Sequence, residues 1–214
     1  MRTVEIKLYK IGELDEDVRA CVVSEHRRLK RRMGDVTEYV TERLEQELDY
    51  FGLPSDALEW SLSYCQGDGV AFYGIVDVNR LRVALGLLTD PKQTPCPDVT
   101  ETMHDEIVAL LGVLRRNFAE EVSLAIDGNS FSYHYSHART MEAEGGIDPT
   151  NEDEVVLYEA FLSYIHAVSR YLETLGYSII EDIESDESII EECEANEYEF
   201  LEDGMLAPSF IRKE

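Results

Sequence analysis

The chain has 214 residues, 44% of them apolar, and carries 19 Lys or Arg against 45 Asp or Glu, a formal charge of −26. The apolar share is that of an ordinary globular core and excludes wholesale disorder. No apolar run approaches the roughly 20 residues of a membrane-crossing helix, and the first residues lack the apolar stretch of a secretory leader.

Thr3 to Ile11 alternates, with Val4, Ile6 and Leu8 on one side, and reads as a strand. A helix starts at Leu14-Asp15, places Val18, Cys21, Val22, Leu29 and Met33 at helical spacing, and stops at Gly34. A second helix carries Val36, Val40, Leu44, Leu48 and Phe51 before Gly52 and Pro54, and so short a link predicts a helical hairpin. Residues 58–64 alternate, Gln66-Gly67-Asp68-Gly69 turns, and Val70 to Val76 returns, which predicts a β-hairpin. A short helix over 79–88, a loop marked by Pro91, Pro95 and Pro97, and a helix over 99–118 follow. A second hairpin is expected from Val122 to about Arg139, turning at Asp127-Gly128, with Phe131, Tyr133 and Tyr135 on its return strand. After Gly145-Gly146 a long helix runs from about Asn151 to Leu175.

The acidity is concentrated beyond that point. Residues 1–140 have a net charge of −8, residues 141–214 one of −18, and residues 181–203 hold 12 Asp or Glu with no basic residue. Isoleucines and aromatics (Ile179, Ile180, Ile183, Ile189, Ile190, Tyr198, Phe200) punctuate this stretch, so it reads as a short strand, a short helix and a further strand, not a disordered tail. The expected fold class is therefore α+β, antiparallel β-hairpins packed against several α-helices. It forms a single domain over 1–214 with 177–214 as an acidic C-terminal extension.

Nucleic-acid affinity comes mainly from cations neutralising phosphates, so this region should repel DNA, RNA and anionic membranes. A basic protein surface is the favoured partner. On that reading Glu184, Asp186, Glu187, Glu191, Glu192, Glu194, Glu197 and Glu199 form the partner-binding set. The plainer reading is that the charge only keeps the protein soluble. The basic island His26-Arg27-Arg28-Leu29-Lys30-Arg31-Arg32 either touches phosphate, caps a helix end, or docks on the acidic C-terminal region.

Little points to catalysis. Glycines around Asp68 suit a tight turn, which accounts for every residue there, so a carboxylate base or ligand is the alternative. That alternative is a small enzyme with a site at Gly67-Asp68-Gly69, drawing on Tyr64, Tyr73 or His134. His134 and His137 lie three apart in a predicted strand, hence on opposite faces, and do not share a metal without a bulge. The four cysteines, Cys21, Cys65, Cys96 and Cys193, form no CxxC pair and read as reduced structural thiols of a cytoplasmic protein. No catalytic set, metal or cofactor is expected.

Two stretches carry a resemblance: Trp60 to Gly74 around the QGDG turn, and Ala195 to Gly204, which contains Tyr198-Glu199-Phe200-Leu201-Glu202-Asp203-Gly204. With the N-terminal strand and helix they resemble a tailed-bacteriophage protein family that shares a QGDG β-hairpin and a YEFxEDG-like ending. The resemblance covers about 25 residues directly and brings no catalytic assignment. It implies a phage or prophage origin and action in the cytoplasm of a bacterial host. There it implies a small acidic inhibitor of a host enzyme or defence system. Combined with the charge reading, in which fixed carboxylates imitate a phosphate array, the expectation is a non-enzymatic inhibitor of a nucleic-acid-handling or defence protein, of anti-CRISPR or anti-restriction type, acting by nucleic-acid mimicry.

Overall fold

The computed structural model describes residues 6–90, 97–117, 123–128, 140–145 and 150–208. In chain order its elements are α1 (Glu16–Met33), α2 (Asp35–Tyr50), β1 (Ala57–Ser61), β2 (Gly69–Val76), α3 (Val78–Leu88), α4 (Pro97–Asn117), β3 (Leu124–Gly128), β4 (Met141–Gly145), α5 (Glu152–Ile183) and α6 (Asp186–Ala195). Among the described residues, six α-helices and one four-stranded antiparallel sheet make the fold α+β. The chain groups into two compact units, Met1–Val40 with Ser178–Glu214, and Thr41–Tyr177.

The first unit has its own core. Ile11, Leu14, Val22, Val23, Ile189, Cys193 and Phe200 are buried together, with Tyr9, Val18, Ile190 and Tyr198 packed around them. Helix α1 ends as its sequence predicts, at Gly34 in the left-handed region (φ 82°), where a side chain is strained. Of the strand expected over Thr3–Ile11, residues 3–5 lie outside the described residues, and among the rest only Tyr9 pairs, through a bridge to Phe200 with N···O distances of 2.9 and 2.8 Å. Phe200 also bridges to Leu206, so the YEFxEDG segment folds back as a tight turn. That turn requires Gly204, which has φ 83° and lies so close to α1 that a Cβ would stand 2.9 Å from Val22 Cγ2 and 3.0 Å from Val18 Cγ1.

The second unit is built on the sheet, in the order β1-β2-β3-β4. Its register places Phe72, Val76, Leu124, Ile126, Met141 and Ala143 on one buried face, while Ile75, Asp127, Glu142 and Glu144 point the other way. Helix α5 crosses the buried face: the Ser169 hydroxyl donates to Val70 O, and His166 Nε2 lies 3.1 Å from Met141 O. Tyr164, fully buried on the same helix, donates its hydroxyl to Phe51 O at 2.9 Å. A buried phenol left unsatisfied would cost about 1–3 kcal/mol.

Three expectations are corrected. Asp127-Gly128 is not a turn; both residues lie in β3, and the return strand is Met141–Gly145, with Gly128 opposite Met141. The strand predicted around Phe131, Tyr133 and Tyr135 lies outside the described residues. The long helix does not stop at Leu175: it passes Gly176 and runs to Ile183, so the isoleucines at 179, 180 and 183 are helical, not in a strand. The boundary between the units falls after Val40, inside α2.

Candidate functional site

Two arrangements carry the chemistry, one in each unit. In the first unit, charge is sorted. Residues 27, 30 and 31 share a face of α1 at i, i+3 and i+4 spacing. Arg27 pairs with Asp186, Lys30 with Glu192 and Arg31 with Glu184. The same cations cap a helix: Arg27 Nε donates to Glu184 O at 2.7 Å and Lys30 Nζ to Ile183 O at 3.4 Å, at the C-terminus of α5, where the helix dipole favours positive charge. Lys10 adds a hydrogen bond to Glu197 O at 2.8 Å and an ion pair with Glu199 at 3.9 Å.

The eight acidic residues of the partner-binding set therefore divide. Glu184, Asp186, Glu192 and Glu199 are engaged by the chain's own cations. Glu187, Glu191, Glu194 and Glu197 are exposed and have no cationic partner among the described residues. At 100° per residue, 187, 191 and 194 fall within an arc of about 60° on α6, opposite the buried Ile189 and Cys193. The 1.5 Å rise sets them about 6 and 4.5 Å apart along the axis. Ser185 starts the helix by accepting from Ser188 N at 3.1 Å, and Asp186 and Glu187 in the first turn suit its dipole. Glu197, in the left-handed region (φ 54°), ends it, with Tyr198 N donating to Cys193 O at 2.9 Å.

His26 stands in this unit against two aromatic rings, Tyr198 at 5.9 Å and Phe200 at 6.2 Å. Burial lowers its pKa, Glu192 and Glu25 oppose that, and Lys30 reinforces it. A histidine whose folded pKa lies below the unfolded value contributes stability that is complete above about pH 6.5 and lost as the pH falls. The ring protons of His26 should therefore titrate with a midpoint below 6.5, and a midpoint above it would mean that the carboxylates outweigh burial.

In the second unit the distinctive group is Asp68, only 8% exposed. The β1–β2 connection is a seven-residue loop wrapped around this carboxylate, wider than the tight glycine turn expected. Oδ2 accepts from Ser63 N at 2.6 Å, Cys65 N at 2.8 Å and the Tyr177 hydroxyl; Oδ1 accepts from Ser61 Oγ and Cys65 Sγ, each at 3.1 Å. Burial alone would raise the Asp68 pKa, but the donors from Tyr177, Cys65 and Ser63 outweigh it and hold the carboxyl well below its usual range. The Tyr177 phenol is pushed up to about 12 by burial and by its bond to Asp68. Gly176 lies against this loop, where a Cβ would come within 2.3 Å of Leu62 Cδ1 and that methyl would have to turn aside.

This geometry suits a structural anion better than a general base, since every acceptor direction is occupied and proton affinity is low. Of the companions expected for Asp68, Tyr64 lies with its ring on Tyr177 (centroids 4.5 Å apart), and Tyr73 hydrogen-bonds Thr140. His134 and His137 lie outside the described residues. Sequence reasoning missed Tyr177, Ser61 and Ser63, and no local signal joins a tyrosine to an aspartate 109 residues away. The cations 27, 30 and 31 were separable from Arg28 and Arg32 by helical spacing alone. An open cleft of about 480 Å³ between α4 and α5 is lined by Asp105, Glu106, Val113, Arg116, Glu159 and Ser163, and Asp68 is not part of it.

Among the described residues no cluster of three or more His, Cys, Asp or Glu is placed to hold a metal ion. Cys21, Cys65 and Cys193 are unpaired thiols, and no described helix is long and apolar enough to cross a membrane. No family model, curated protein or solved structure matches this chain.

Proposed function

We propose that the protein is a non-enzymatic binding protein that uses the outward face of α6 to occupy a cationic, nucleic-acid-binding surface on another protein. One observation carries this reading: the internal cations neutralise one side of the acidic region and leave Glu187, Glu191 and Glu194 as a row on an ordered helix, with Glu197 exposed just past its end. A phosphate mimic needs fixed spacing, and a pre-ordered row loses little entropy on binding. The phage origin and the host-defence or anti-restriction target implied by the sequence resemblance belong to this proposal.

The test is capture from a bacterial lysate on immobilised protein, washed at stepped salt, with duplex DNA as competitor. Proteins held at 0.15 M salt and displaced by DNA are expected, and E187Q/E191Q/E194Q/E197Q should weaken their retention at least tenfold, about 0.35 kcal/mol or more per carboxylate. Equal retention by the variant, or retention indifferent to DNA, would defeat the reading. A carboxylate chemistry at Asp68 is not favoured by its five donors.

A further inference from the structure

The loop around Asp68 also displays an aromatic ring. Tyr64 has a left-handed backbone (φ 57°), a conformation that costs a bulky L-residue about 1–2 kcal/mol. The cause is visible on either side: Ser63 N and Cys65 N both donate to Asp68 Oδ2, and Tyr64 N between them donates to the Tyr177 hydroxyl, itself a donor to Asp68. The side chain is thereby turned outward. It is 69% exposed, yet held by its stack on Tyr177. Turn formation alone does not require an aromatic here; asparagine or glycine would adopt this backbone with less strain.

We infer that Tyr64 is a docking ring for an arginine guanidinium on a partner protein. Three features converge on a cation. The ring presents a π-face, which attracts guanidinium within about 6 Å. Tyr177, beneath it, donates its proton to a carboxylate, which leaves the stacked pair electron-rich. Glu173, one turn before Tyr177 on α5, adds its negative charge to the field at Tyr177. A nucleotide would bring its phosphate toward these carboxylates and is disfavoured. The inference is independent of the acidic row on α6, because its residues belong to the other unit.

The probe is N-acetyl-arginine amide, titrated into protein with labelled tyrosine rings and followed by NMR. Its neutral isostere, N-acetyl-citrulline amide, and adenosine serve as comparisons. Arginine amide should shift the Tyr64 and Tyr177 ring signals, Tyr64→Phe should bind within twofold of the parent, and Tyr64→Leu should bind about threefold more weakly or worse. Glu173→Gln, which leaves the loop's hydrogen bonds intact, should weaken binding about twofold. Citrulline amide binding as well as arginine amide, full binding by Tyr64→Leu, or tighter binding of adenosine would each overturn the inference.

Discussion

Replacing Asp68 with alanine should remove about 4 kcal/mol of stability, whereas asparagine should remove only about 1–2 kcal/mol. Alanine leaves the amides of Ser63 and Cys65 and the Tyr177 hydroxyl without an acceptor, and each such group costs about 1–3 kcal/mol when water does not fully replace the partner. Asparagine can place its oxygen where Oδ2 stood and turn its amide toward Ser61 Oγ and Cys65 Sγ, both able to accept. What it loses is the charge that strengthens the three bonds at Oδ2. Urea denaturation at neutral pH measures the difference.

The same pair of variants has a pH signature. The folded pKa of Asp68 lies below the unfolded value near 3.9, so its contribution is complete above that value and disappears as the pH falls further. Asp68→Asn should therefore flatten part of the acid limb of the stability curve. A variant that kept parental stability at every pH, while some biological activity vanished, would return Asp68 to the list of chemical residues.

The second large effect is expected from reversing the counter-charges, R27E/K30E/R31E. Single exposed ion pairs contribute about 0.2–1 kcal/mol. Here three pairs become three repulsions, and the carbonyls of Ile183 and Glu184 lose the cations that cap α5. A loss of about 3 kcal/mol from the first unit is expected at low salt, and raised salt should recover part of it. Hydrogen exchange of the α6 amides, residues 187–195, reports this directly, since opening of the unit removes their protection. Unchanged exchange at low salt would mean that the apolar core of Ile11, Val22, Ile189 and Phe200 holds α6 without help. By the same logic the parent protein should not shift duplex DNA, because the cations of the basic island with the right spacing are already engaged.

How much of this was legible beforehand follows from where the causes lie. The helices α1 to α4 were readable because their apolar spacing, Gly34 and the prolines are local signals. The return strand β4 was not, because Met141-Glu142-Ala143-Glu144 has weak β propensity and earns its place by pairing with β3 and burying Met141 and Ala143. The long helix was cut short because Gly176 looks like a stop signal, whereas it sits inside the helix against Leu62. The acidic region was placed correctly as ordered and charged, but helical periodicity was needed to separate its paired carboxylates from its outward ones. The role of Asp68 was beyond reach: the glycines beside it explain a turn, and the decisive donor sits on α5.

The first unit is discontinuous, and this has a consequence during synthesis. Residues up to Val40 leave the ribosome well before Ser178 and beyond, with the whole of the second unit made in between, an interval of roughly ten seconds at 5–20 residues per second. Throughout that interval Arg27, Lys30 and Arg31 are without Asp186, Glu192 and Glu184, the carboxylates that pair with them in the complete chain, in a setting rich in ribosomal RNA. The basic face of α1 is thus the last part of the chain to find its counter-charges, which arrive only with the final segment.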